Sequence, residues 1–291
     1  MSNVASDDAA GEDITTAPWL CRVDSINYVT GADRGRVILS GSHGGLYSAF
    51  KGLSVQPRGL VLNDAGGGLR GAGIAALEEG DRFSVAVVTV SHRSARIGDA
   101  GDMARRGIVS HANAVARAAG IVPGLACIEA LRRLSRLAPG QGQVHAVREH
   151  RNEVSCAAER VICIDSASLI EARDRGRVVV TGSHGGLIGG DPGKAISVAA
   201  RFLAFNDAGC GCENAGLGRL HPLDLRGIAA VAVSHESAEI GNALSTLHHG
   251  VVSHANVAAR RFGAAAGMPL RQFLERWLGA SSQSPGHIGC A

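Results

Sequence analysis

Two stretches of this chain are nearly identical. Arg34 to Gly45 reads Arg-Gly-Arg-Val-Ile-Leu-Ser-Gly-Ser-His-Gly-Gly, and Arg175 to Gly186 reads Arg-Gly-Arg-Val-Val-Val-Thr-Gly-Ser-His-Gly-Gly. In each, a β-branched run stops at Gly-Ser-His-Gly-Gly, the pattern of a buried strand whose carboxyl end opens into a loop of small and polar residues. What surrounds them repeats as well. Asp24, Ser42 and His43 recur 141 residues later as Asp165, Ser183 and His184. Asn63, Asp64, His92, His111 and Asn113 recur 143 residues later as Asn206, Asp207, His235, His254 and Asn256.

Two copies are too few for a solenoid. Apolar strands alternating with helices imply parallel sheets, because each crossover returns the chain to the same edge. The expected fold is α/β: a tandem duplication of a parallel-sheet domain with pseudo-two-fold symmetry. The expected boundaries are a disordered leader over 1–17, a first repeat over 18–137, a linker over 138–159, a second repeat over 160–279 and a flexible tail over 280–291. The spacing also predicts a helix starting at His111 with Ser110 as its N-cap, and a last helix of the first repeat opening at Pro123.

Composition narrows the partners. Aromatic residues make up only 3% of the chain, which argues against a surface that stacks nucleic-acid bases. The formal charge of +3 comes without a basic block, so no nucleic acid is expected. No apolar run is long enough for a membrane span. Seven scattered cysteines and a polar start without a signal peptide suggest free thiols in the cytoplasm. A homo-oligomer is compatible with the apolar faces of the last helix of each repeat.

The polar motifs all follow apolar strands: Asp24-Ser25, Ser42-His43, Asn63-Asp64 and Ser91-His92. In parallel sheets, ligand sites form outside the carboxyl ends of the strands, so these residues are expected to converge on one rim in each half. Each motif also has a purely structural reading. Asn-Asp-Ala-Gly can be an Asx turn, and Ser91, Ser110 and their counterparts can be helix caps. The recurrence of all three histidine pairs favours an active site. The expected catalytic residues are His43, His92, His111, Asp64, Asn63 and Ser42, with His184, His235, His254, Asp207, Asn206 and Ser183 in the second half.

The chemistry these groups suggest is hydrolysis of a small, anionic substrate, such as an amide or cyclic amide, with His, Asp and Asn positioning water and stabilising an oxyanion. A divalent metal, zinc or manganese, would take its ligands from His43, Asp64, His92 and His111 or their counterparts His184, Asp207, His235 and His254. Proton transfer by an isomerase or lyase between the halves is a second enzymatic reading. A small-ligand-binding protein without turnover is a third. Two like α/β halves facing one cleft resemble the aspartate/glutamate racemases, which take a cysteine from each half; here Cys210 is matched only by Gly67. His-Gly after a strand, with a second motif after the next, resembles caspase-type peptidases, but Asn63-Asp64-Ala65-Gly66 stands where those carry a cysteine. Cys210 and Cys212 form a Cys-x-Cys pair in the second half alone, and Arg96, matched by Glu239, could clamp a carboxylate in the first.

Overall fold

The computed structural model describes residues 14–144 and 147–281. The first half forms a five-stranded sheet in the order β1 (Leu20–Val23), β2 (Val37–His43), β3 (Gly59–Asn63), β4 (Ala86–Val90) and β5 (Val109–Ala112). The first four strands are parallel and β5 runs antiparallel to β4. The second half repeats this order with β7 (Glu159–Ile164), β8 (Val178–His184), β9 (Phe202–Asn206), β10 (Ala229–Val233) and the antiparallel β11 (Val252–Ala255). β6 (Arg151–Cys156) lies inside the stretch expected to be a linker and adds an antiparallel edge strand beside β7.

Alternation along the strands feeds two apolar layers per sheet. In the first half, Val37 and Leu39 of β2 face Leu131 and Leu134 of α5 (Cys127–Ser135) and Met103 of α3 (Ala100–Arg106). Ile38 faces the other way, toward α1 (Leu46–Leu53) and α2 (Ala76–Arg82). Between α3 and α5 lies α4 (Ala114–Ala118). The second half has α6 (Leu220–Leu225) on one face and α7 (Ala243–His249), α8 (Val257–Arg261) and α9 (Leu270–Ser281) elsewhere. Phe273 and Leu274 of α9 pack on Phe202 and Val180, so the apolar faces of α5 and α9 are used within the chain. No counterpart of α1 exists among the described residues of the second half; two 3-10 turns, Ile188–Gly190 and Pro192–Lys194, take its place.

Two helix starts differ from expectation. His111 lies in β5, and Asn113, not Ser110, caps the helix that follows by accepting the Ala116 N–H at 3.0 Å. Asn113 also bridges the Val87 N–H and the Val85 carbonyl, so the cap is fixed by the neighbouring strand. Pro123 precedes α5 without opening it; the helix begins at Cys127, whose N–H is bonded to the Gly107 carbonyl. The leader up to residue 13 and the tail from 282 lie outside the described residues; Ile14–Thr16 is a short 3-10 turn.

The strand order in each sheet is monotonic, so neither half contains the order reversal that opens a ligand crevice in a doubly wound sheet. The carboxyl ends of the two halves meet each other instead. Backbone hydrogen bonds cross between them: Leu69 N–H to the His235 carbonyl at 2.7 Å, Cys212 N–H to the His92 carbonyl at 2.8 Å, and Gly189 N–H to the Gly98 carbonyl at 2.7 Å. Ala65, Ile97, Ala208 and Ile240 form a small apolar cluster at this junction.

Candidate functional site

The Gly-Ser-His-Gly-Gly loops are strand irregularities with a defined purpose. β2 pairs Leu39 with Val61 but His43 with Asn63, so Ser40, Gly41 and Ser42 bulge out of register. The same shift separates Val180 and His184 in β8. A bulge re-aims the side chain beyond it. Gly41 is needed there because a Cβ would sit 2.7 Å from the Asp24 carbonyl oxygen and the Asp99 nitrogen; Gly182 is equally enclosed.

The bulges turn His43 and His184 toward each other across the junction, with ring centroids 6.4 Å apart and ring planes at 83°. Each ring also rests on the opposite half: a Cβ on Gly241 would lie 3.4 Å from Cε1 of His43, and one on Gly98 would lie 3.4 Å from Cε1 of His184. Nδ1 of His43 accepts the Gly45 N–H and Nδ1 of His184 accepts the Gly186 N–H, both at 3.1 Å. A backbone amide can only donate, so both rings are neutral with their proton on Nε2. Burial favours the same state, lowering His43 to about 4 although one edge of its ring faces the cavity. His184 is likewise lowered well below its ordinary value, by burial first and then by the charge of Arg219. Among the described residues neither Nε2 has a hydrogen-bond partner.

Both histidines line a cavity of about 1070 Å³ between the halves. Ser42 and Ser183 line it too, but their Oγ atoms accept the Ile26 and Ala167 N–H groups at 3.0 and 2.9 Å. Neither serine has a histidine within hydrogen-bond reach among the described residues. Glu149 and Tyr47 stand on the same wall. Burial and the nearby Asp165 push Glu149 up to about 7, against hydrogen bonds from Ser166 and Tyr47. At the rim, the exposed His150 is bonded through Nδ1 to Asp165 at 2.9 Å. The other oxygen of Asp165 accepts the Ala243 N–H at the start of α7, as Asp24 accepts that of Ala100 at the start of α3.

The remaining expected residues do not reach this cavity. Asp64 accepts both the backbone N–H and the Nδ1 proton of His92 at 2.9 and 2.8 Å. Asp207 binds His235 in the same way, both at 2.9 Å. Burial opposes ionisation of either carboxyl, but these bonds hold both below the usual carboxylate range; the bond to Asp207 in turn raises His235. The rings cross the junction: a Cβ on Gly209 would strike His92 at 2.8 Å and one on Gly66 would strike His235 at 2.8 Å. These dyads bind one half to the other. Asn63 and Asn206 are fully buried in Asx turns, accepting the Ala65 and Ala208 N–H groups at 2.9 Å. His111 and His254 are exposed on the antiparallel edge strands, outside the cavity lining. The expected convergence of all four motifs on one rim therefore splits into a cavity and a clamp.

In the first half the expected metal set does not assemble, because His43 faces the cavity, Asp64 is committed to His92 and His111 lies on the edge strand; in the second half two of the expected ligands, Asp207 and His254, do come together. Among the described residues, the one three-ligand grouping is Asp207, Cys210 and His254, whose ligand atoms lie within 4.8 Å of one another. Oxygen, sulfur and nitrogen donors together suit zinc better than manganese. Burial raises both Cys210 and Cys212, the opposite of an activated nucleophile. Arg96 clamps carboxylates of the protein itself, Asp102 at 3.2 Å and, across the junction, Glu213 at 3.4 Å. All six described cysteines are unbridged, and no described helix is long and apolar enough to cross a membrane.

One residue outside the repeat pattern dominates the charge of the cavity. Arg219 is 6% exposed, directly precedes α6, and occupies the position that Ala76 holds in the first half. Its Nε and Nη1 bind the Gly186 and Ala195 carbonyls at 3.0 and 2.6 Å, and its guanidinium lies 5.3 Å over the Phe205 ring. Because its value lies in three-dimensional placement and it has no repeat partner, periodicity gives no hint of it. The chain matches no protein-family model, no curated protein and no solved structure.

Proposed function

We propose that the protein is a small-molecule hydrolase whose active site is the cavity between the halves, acting on an amide or cyclic amide. The observation that carries this reading is the pair of neutral imidazoles whose Nδ1 atoms are occupied by backbone N–H groups. Each is left with an Nε2–H to donate. Two preorganised neutral donors at one cavity suit a carbonyl oxygen that gains negative charge. A histidine that its surroundings hold neutral can polarise a carbonyl in this way, as an imidazole rather than an imidazolium.

Glu149, with its pKa near neutrality, supplies the base. It takes a proton from water as the water oxygen bonds to the carbonyl carbon. The carbonyl oxygen becomes an oxyanion held by His43 and His184. Collapse breaks the carbon–nitrogen bond, and the departing nitrogen takes the proton from Glu149. Proton transfer between two histidine bases, as an isomerase would need, is disfavoured by the same observation, since Nε2 can accept a proton only if Nδ1 carries one against the Gly45 or Gly186 N–H.

The test is a panel of small linear and cyclic amides incubated in ¹⁸O-water and read by mass spectrometry, with wild type, His43→Gln and His184→Gln side by side. One ¹⁸O in the product carboxylate, lost in both variants, is expected. Turnover without label would replace hydrolysis by another chemistry, and labelled turnover that survives both substitutions would remove the histidines from the site.

A further inference from the structure

Arg219 is a buried charge without a counter-charge. Among the described residues no carboxylate pairs with it; its two hydrogen bonds go to backbone carbonyls. Burial alone pulls it down to about 10, which still leaves it charged at neutral pH. A guanidinium has five N–H donors, so three remain, two of them on Nη2. An uncompensated buried cation is costly to keep, and this one lines the cavity beside His184.

The other charges around the cavity do not cancel it. Arg70 is paired with Glu239 at 2.9 Å, and the Asp165 carboxylate is taken up by Nδ1 of His150 at 2.9 Å and by the Ala243 N–H. Glu149 is only partly ionised near neutrality. Arg148 adds positive charge to the lining, and Lys194 is paired with Asp191 at 3.9 Å. The first half offers Ala76 at the equivalent position, so the cavity is electrostatically lopsided.

We infer that Arg219 is the anchor for a carboxylate carried by the substrate. The inference rests on the hydrolase reading for the identity of the cavity as the substrate site and adds the class of molecule: an amide that also bears a free carboxylate. The planar fork suits two carboxylate oxygens. Held at Arg219, the carboxylate lies toward the second half, and its own amide carbonyl would be presented to the two histidines.

The experiment measures binding of short mono- and dicarboxylates, their neutral amides and inorganic phosphate to the full-length chain, by calorimetry and thermal shift. Carboxylates are expected to bind wild type at least about tenfold more tightly than the neutral amides, the lower end of what a charge-assisted hydrogen bond supplies. Arg219→Met should erase that preference, and Arg219→Lys should restore part of it. Equal binding of charged and neutral ligands to wild type overturns the proposal without needing any variant to fold. So does tighter binding of phosphate than of every carboxylate, or an Arg219→Met protein that is folded and keeps the preference. Carboxylate binding without turnover of any amide would leave the anchor standing and remove the hydrolase. Hydrolysis of neutral amides as fast as of carboxylate-bearing ones would do the reverse.

Discussion

Replacing His43 with Gln should change how stability depends on pH, by an amount the structure allows to be worked out. Burial lowers His43 from 6.5 to about 4. Between those values the unfolded chain binds a proton that the folded chain refuses, so stability contributed at this position is complete above pH 6.5 and lost as pH falls toward 4. At 1.36 kcal/mol per pKa unit the loss is ~3 kcal/mol, and the ring's partly exposed edge reduces it to ~2 kcal/mol. Glutamine does not titrate. Urea denaturation of wild type and His43→Gln at steps from about pH 7.5 to about 4.5 should therefore show the wild type losing ~2 kcal/mol more than the variant across that range. Glu149 works in the opposite direction, because its folded pKa is raised from 4.5 to about 7, but it is present in both proteins and cancels in the difference. If the two curves stay parallel, His43 titrates normally in the folded protein, and the argument for a neutral Nε2–H donor fails with it.

Three further outcomes are expected. Amide turnover should rise with pH through about 7 as Glu149 ionises, and Glu149→Gln should lower it by about a hundredfold or more; a wild-type profile flat from about pH 5.5 to about 8.5 would take the base role away from Glu149. Gly41→Ala places a methyl 2.7 Å from three backbone atoms, and should cost ~1–3 kcal/mol in urea unfolding, whereas an unchanged midpoint would mean the bulge can relax. Asp64→Asn disrupts the carboxylate that accepts from His92 and Gly66 and should cost ~1–3 kcal/mol while kcat stays within a few-fold. A large loss of kcat at unchanged thermal midpoint would make the Asp64–His92 dyad part of the chemistry.

The repeat makes the fold legible. The positions of β1 to β4 and β7 to β10, their parallel arrangement and the glycine turns follow from period and small-residue placement, whereas β6 and the antiparallel β5 and β11 do not; the same reasoning puts Ser42, His43, Ser183 and His184 at strand ends, where they lie in the bulged ends of β2 and β8. What spacing cannot supply is which polar groups face the same space. Asp64, His92 and their counterparts sit at strand ends, yet the monotonic strand order sends the two imidazoles across the junction to Gly209 and Gly66. His111 resembles a helix-start histidine because Ser110 precedes it; Asn113, which satisfies both β4 and the helix, is the better cap. Glu149 belongs to a charged run, and in a sequence such a run looks like a solvated linker. Arg219 breaks the repeat, and a position that differs between copies carries no signal when recurrence is the guide. The residues that differ are informative all the same: Arg70, Arg96, Glu213 and Glu239 pair across the junction, so divergence between the copies helps to hold them together.

The replacement of a full helix by two short turns after His184 has a consequence for what the molecule can become. In the first half the chain leaving the histidine is committed at once to α1, whose packing against the sheet fixes where that wall stands. In the second half the same wall is a stretch of backbone with little regular structure, fastened at one end by the Ala195 and Ile196 carbonyls that Arg219 and Arg226 bind. Changes confined to the exposed turn over 191–194, of which Gly193 and Lys194 line the cavity, can alter that wall while the Gly189–Gly98 bond, the Ala195–Arg219 bond and the paired histidines stay as they are.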